Sequence, residues 1–218
     1  VGKDAMKADG TINRSALPAL FNPEDLNALE QALQLKEQNP GSKITLLTMG
    51  LPRAAEMIRE SLYRDGDTGI VLTDRARAGA DTLATSYALA TAIRHIGKVD
   101  IILGGRQAID GDTAQVGPQV AQKLDLNQVT YVTCIEKVEN GKVTVTRHID
   151  GGIERVEAPL PILLTVNGNA APSRPRHAKL VMKYKRASAP MKRPADGSLP
   201  YAEEYGTKPY LTIAPWRV

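Results

Sequence analysis

Three short apolar runs constrain this chain more than any other feature: residues 43–49 (KITLLTM), 69–73 (GIVLT) and 99–105 (VDIILGG). Each is too short for a buried helix, and stretches of helical character separate them, at residues 53–63 and in the alanine-rich 81–96. Short apolar strands alternating with helices predict a parallel sheet covered by helices on both faces. In such open sheets ligands bind beyond the carboxyl ends of the strands, so the loops that follow these runs become the candidates for function.

A further helix precedes the first run. In FNPEDLNALEQALQLKEQ, Asn22 suits the N-cap, Pro23 the first helical position, and Asp25 the acid of a capping box. Leu26, Leu29 and Leu33 recur on one face until Asn39-Pro40-Gly41 breaks the pattern. After Gln128 the period changes. VTYVTCIEKV, KVTVTRHI and IERVEA read as strands joined by Asn140-Gly141 and Asp150-Gly151-Gly152, an antiparallel meander attached to the parallel sheet. PILLTV predicts one more buried strand, NGNAAPSRPRHAK a loop, and LVMKYKRA a short basic helix. Residues 1–187 are thus expected to form the α/β domain, with 188–218 beginning a separate arm. The polar opening and the closing APWRV suggest further segments at both ends, a first strand among them.

Composition narrows the function. The chain has 218 residues, 42% hydrophobic and 24% charged, which suits a globular fold with a sizeable core. No apolar run approaches the roughly 18 residues that span a bilayer, and the opening VGKDAMKADG has no apolar signal core, so the expected location is the cytoplasm. The single cysteine, Cys134, excludes an internal disulfide and a multi-cysteine zinc site, and reads as a buried strand residue. Net charge is +4 and aromatic content only 4%, which leaves few platforms for stacking bases and disfavours nucleic acid as a partner. His95, His148 and His177 lie far apart, without the short spacing of metal-binding pairs.

The loop GGRQAIDGDTAQVGP, residues 104–118, follows the third apolar run and precedes a helix expected over 114–124. Asp112 or Thr113 is placed to cap that helix, and its first amides near Ala114 and Gln115 suit a phosphate. The ordinary alternative is a capped helix without a ligand. Asp110 and Asp112 as an acid-base pair are weaker still, since capping and an Asx turn account for both. No dinucleotide fingerprint, P-loop or nucleophile elbow is present. Arg174, Arg176, His177, Lys179, Lys183, Lys185 and Arg186 read as a solvated basic face, or as part of a docking loop.

FNPEDLNALEQAL, LLTMG, GGRQAIDGDTAQVG and above all VTRHIDGGIERVEAPLPILLTV together resemble the β subunit of electron transfer flavoproteins. The resemblance runs over about residues 22–186. It implies an adenine-nucleotide alpha-hydrolase-like α/β fold and a heterodimer with an α subunit that carries FAD. The nucleotide contacts it implies are Asn22, Pro23, Glu24 and Asp25, then Met49 and Gly50, then Gly111, Asp112, Thr113, Ala114, Gln115, Val116 and Gly117. Gly-Asp-Thr-Ala-Gln-Val-Gly resembles the bifurcating members, which hold a second FAD in this site where conventional members hold AMP. In those members NADH reduces the β-bound FAD, which feeds the α-bound flavin and a low-potential acceptor such as ferredoxin or flavodoxin. The family's loop for docking an acyl-CoA or other dehydrogenase corresponds to Asn167, Gly168, Asn169, Ala170, Ala171, Pro172, Ser173, Arg174, Pro175 and Arg176. A nucleotide-binding regulatory module of similar architecture is the alternative from another class.

Overall fold

The computed structural model describes residues 20–73, 79–187 and 211–214. Helix α1 (Pro23–Gln38) buries Leu29, Leu33 and Leu35 and stops at Asn39, whose backbone and side-chain amides both donate to the Leu35 carbonyl. Strand β1 (Thr45–Met49) leads through a 3-10 turn (Pro52–Ala54) into α2 (Ala55–Leu62). The helix expected over 53–63 therefore begins as a tighter turn, closed by the Ala54 amide donating to the Leu51 carbonyl. Next come β2 (Thr68–Leu72), α3 (Thr82–Ile96) and β3 (Ile101–Gly105). Helix α3 is capped by Asp81, which accepts from the Ala84 amide at 2.8 Å.

Helix α4 (Val116–Leu124) precedes β4 (Asn127–Glu139), β5 (Lys142–Ile149), β6 (Gly152–Pro159) and β7 (Ile162–Val166). Helix α5 (Ala178–Tyr184) and β8 (Leu211–Ala214) complete the described elements. The strands form two ladders. One, in the order β1-β2-β8, is parallel throughout. The other, in the order β3-β7-β4-β5-β6, is parallel from β3 to β4 and antiparallel from β4 to β6, the expected meander. Strand β8 falls in the segment expected to be an arm and pairs with β2; residues 1–19, 188–210 and 215–218 lie outside the described residues.

Helix α3 ties the ladders together. Its Ala88 and Ala92 pack with Leu72, Leu47 and Met49 of the first, while Ala90, Leu89 and Ile93 pack with Leu163 and Ile102 of the second. Alanine allows this because it lets a helix backbone approach two sheets closely. Strand β7 is buried along its length, as its run of apolar residues, broken only by Thr165, requires. Ile162 and Leu164 share a cluster with Leu35 of α1, and Leu163 lies in another with Val120 and Ala121 of α4. Each such leucine contributes about 1.5–3 kcal/mol by leaving water.

Strand β4 is irregular. Its register with β5 shifts between Val132 and Cys134 and again between Ile135 and Lys137. At the second shift the Ile135 amide donates to buried Gln31 of α1 at 2.7 Å, which satisfies a group the ladder leaves over. Cys134 is exposed, not the buried residue its apolar neighbours suggest, because the shifts upset simple alternation along the strand. Among the described residues no helix is long and apolar enough to cross a membrane, and no group of three metal-ligating side chains occurs.

Gly69 in β2 is where α2 meets the first sheet: a Cβ there would lie 1.9 Å from Cγ2 of Ile58. Gly69→Ala is expected to cost about 1–3 kcal/mol through overpacking. Urea unfolding checks this as a lower midpoint at unchanged slope.

Candidate functional site

The N-terminus of α1 lies against the carboxyl end of β3, and its polar residues are spent on the loop beyond that strand. Asp25 accepts the Gly105 amide at 2.5 Å and the Asn22 side-chain amide at 3.0 Å. Asn22 also donates to the Gln107 carbonyl at 2.9 Å and accepts from the Ile109 amide at 3.3 Å. Glu24 accepts the Gln107 amide at 3.1 Å and pairs with Arg106 at 3.2 Å. The expected side-chain cap and capping box are therefore replaced: Asn22 occupies the N-cap and its carbonyl accepts the Leu26 amide, but its side chain bonds no helix amide, and Asp25 turns to another element. The reason is tertiary, since the amides of a chain reversal 80 residues away in sequence need acceptors.

Gly105 makes the approach possible, because a Cβ there would lie 2.8 Å from the Asp25 nitrogen and 2.9 Å from the Glu24 carbonyl carbon. Burial pushes the Asp25 carboxyl above its usual range, against the lowering influence of the Gly105 and Asn22 hydrogen bonds. Arg106, bonded to Glu24, also lies over the Tyr131 ring at 5.6 Å.

Gln107 hands this arrangement on to the next loop by donating to the Asp112 carboxylate. From Gly111 to Gln115 the chain is largely exposed, and Asp112 and Ala114 both adopt positive φ, at 48° and 54°. Helix α4 then starts at Val116, later than expected, with Gln115 rather than Asp112 or Thr113 at the N-cap and no side chain bonded to the helix amides. Pro118 has no amide to offer, so Val116 and Gly117 present the N-terminal donors. Gly117 packs against β7, where a Cβ would come within 2.7 Å of Cγ2 of Thr165.

The structure brings Asn22, Glu24 and Asp25 to the stem of the loop that holds Gly111 to Gly117. Pro23 serves as the first residue of α1. Met49 and Gly50 join less directly: the Met49 side chain packs against Ala88 and Ala92 of α3, and the Gly50 amide donates to the Leu72 carbonyl at 3.0 Å. Sequence reasoning missed Gly105, Arg106 and Gln107 as the receiving half of the clamp. The Gly-Gly pair after an apolar run was the available signal.

Residues 167–176 form a second assembly on α1. Asn27 donates to the Ala170 and Ala171 carbonyls at 3.1 and 2.9 Å, and Ala170 is buried with Ala28 and Val166. Arg174 grips Glu30 through Nε and Nη2 at 3.0 and 2.9 Å, and reaches Glu37 at 2.6 Å. Arg176 pairs with Glu60 at 2.9 Å. Arg174 is thus a structural ion-pair partner, whereas Arg176, its side chain 58% exposed, stays on the solvated basic face. Gly168, Asn169, Pro172 and Pro175 remain exposed along the loop.

The chain matches the electron transfer flavoprotein domain over residues 9–193. It is 52% identical over 156 residues to the caffeyl-CoA reductase-Etf complex subunit CarD of Acetobacterium woodii, covering 72% of this chain and 59% of that protein. It is 48% identical over 155 residues to the electron transfer flavoprotein subunit beta of Thermoanaerobacterium thermosaccharolyticum, covering 71% and 58%. To the subunit of the same name from Megasphaera elsdenii it is 46% identical over 186 residues, covering 83% and 68%. The chain belongs to the electron transfer flavoprotein family, as a β subunit, and its matches span about three-fifths of the length of the first two relatives.

Burial would raise the Glu30 carboxyl, but the Arg174 hydrogen bonds outweigh it and hold its pKa below the usual range. Arg174→Ala leaves that buried carboxylate unpaired and is expected to cost about 3 kcal/mol near neutral pH. A depressed acid stabilises the fold above its unfolded-state pKa and ceases to do so as pH falls through the folded value. The deficit of the variant should therefore shrink on acidification, which thermal melts across a pH series measure.

Proposed function

We propose that this β subunit holds FAD at the carboxyl edge of its parallel strands and works in flavin-based electron bifurcation. The observation that carries the proposal is the Gly111–Gly117 loop. Two positive-φ residues turn an exposed chain into the uncapped start of α4, a geometry that suits a pyrophosphate on backbone amides and the positive end of a helix dipole. The donor set fits an adenine dinucleotide: Val116 and Gly117 offer amides, Thr113 a hydroxyl, and Gly111 and Ala114 leave space beside the phosphates. The Gly-Asp-Thr-Ala-Gln-Val-Gly string, which resembles bifurcating members, favours FAD over AMP.

FAD bound there supplies two-electron acceptance from NADH and one-electron release to two acceptors. The chain's own part is positional. Asn22, Glu24 and Asp25 hold the loop stem rigid through Gly105 and Gln107, so the donors of the 111–117 loop are set before the ligand arrives. Met49 and Gly50 close the far side of the edge. The open edges of β1 and β3, linked by α3 among the described residues, suit one further parallel strand between the two ladders.

The proposed assembly is a cytoplasmic heterodimer with an FAD-bearing α subunit. Residues 167–176, held on α1 by Asn27 and Glu30, present their exposed positions to a partner dehydrogenase. A relative named acryloyl-CoA reductase electron transfer subunit gamma, from Anaerotignum propionicum, supports an acyl-CoA-type partner. A ferredoxin or flavodoxin takes the low-potential electron.

Co-expression with the α subunit, followed by quantification of released nucleotides, tests the reading. Two FAD per heterodimer are expected, while one FAD with one AMP would overturn the bifurcating assignment. Thr113→Ala combined with Gln115→Ala should lose the β-site nucleotide with the fold intact, and unchanged content would remove this loop from the site.

A further inference from the structure

Beside the 111–117 loop, the first turns of α3 and α4 are joined by a run of four polar side chains. The Ser86 hydroxyl, fully buried, lies 2.9 Å from Oε1 of Gln119 and equally near the Leu83 carbonyl. Gln119 Nε2 donates to the Thr82 hydroxyl oxygen at 3.4 Å, and Thr82 Oγ1 donates to Gln115 Oε1 at 2.9 Å. Gln115 is the exposed N-cap residue of α4, and its side chain bonds no helix amide.

We propose that Thr82 is a positioning residue for the nucleotide site: it holds the Gln115 amide by its oxygen, so that Nε2 is presented as a donor to the ligand's phosphates. The inference rests on the site reading above and adds the residue that orients its N-cap. Two consequences follow from the geometry. Drawn toward α3, the Gln115 side chain leaves the Val116 and Gly117 amides clear. With its oxygen engaged by a hydroxyl donor, its free end is the NH2 group, the polarity that suits an anion. Thr82 has the correct chemistry for this because one hydroxyl both donates and accepts. A valine of the same shape breaks both bonds, while a serine keeps them.

The test uses the full-length chain in complex with its α subunit, stripped of nucleotide and titrated with FAD. Thr82→Val is expected to weaken FAD binding about tenfold, the size of one lost hydrogen bond to a charged group, at unchanged Tm. Thr82→Ser should restore it to near the parent value. Gln115→Glu, which keeps the shape but has no donor, should weaken binding at least as much and reads the same contact without touching α3. Binding of FAD by Thr82→Val at parent affinity overturns the proposal, as does an equal loss in valine and serine variants, which marks a packing role. If Thr113→Ala with Gln115→Ala loses FAD while Thr82→Val does not, the site stands and only the role of Thr82 fails. If all variants keep FAD, the site reading itself fails.

Discussion

The Asp25 carboxylate, buried and accepting the Gly105 amide at 2.5 Å, is the contact on which the arrangement of the edge depends. It joins the first turn of a helix to the last residue of a strand 80 positions later in sequence. Burying a carboxylate is costly, and burial pushes this one above its usual range despite the hydrogen bonds it accepts. The return is orientation. With Gly105 held by Asp25 and Gln107 held by Glu24, the chain leaves β3 in one direction only, and Gln107 passes that direction to Asp112. A side chain at position 105 would collide with helix backbone, so glycine and carboxylate work as one unit.

The same helix also holds the loop of residues 167–176. Asn27 and Glu30 grip residues 170–174, Gln31 fills the irregularity in β4, and Lys36 reaches Asp65 and Asp67. These contacts differ in weight. Glu30 and Arg174 form a two-pronged pair with the Glu30 side chain only 8% exposed, whereas Lys142 and Glu157, each 55% exposed, contribute little in water. A structural tie of the first kind turns residues 167–176 from a basic loop into a pre-set surface.

Much of the fold was legible from the residues. Leu29 and Leu33 marked the buried face of α1, ILLTV marked a strand covered on both faces, and Asn140-Gly141 and Asp150-Gly151-Gly152 marked the meander's turns. Local rules failed where a residue had a better partner elsewhere. Asn22 holds the N-cap position of α1 as its spacing suggests, yet its side chain and that of Asp25 turn to partners beyond β3, while Asp112 is taken by Gln107 within its own loop and the cap position of α4 falls to Gln115. Cys134 followed the apolar character of its neighbours on paper and faces solvent in fact, because a register shift is invisible in a linear pattern.

By itself, then, the sequence determined the alternation of strands and helices, the meander that follows them, and the membership of a family written most densely in residues 145–165. These are local or periodic properties, carried by runs of a few residues. Only the tertiary structure decided that α1 clamps the loop beyond β3, that Arg174 is spent on Glu30, and that Thr82 meets Gln115 across 33 positions. Such pairings depend on which polar groups are left without water when the layers close. No spacing in the chain encodes that outcome directly.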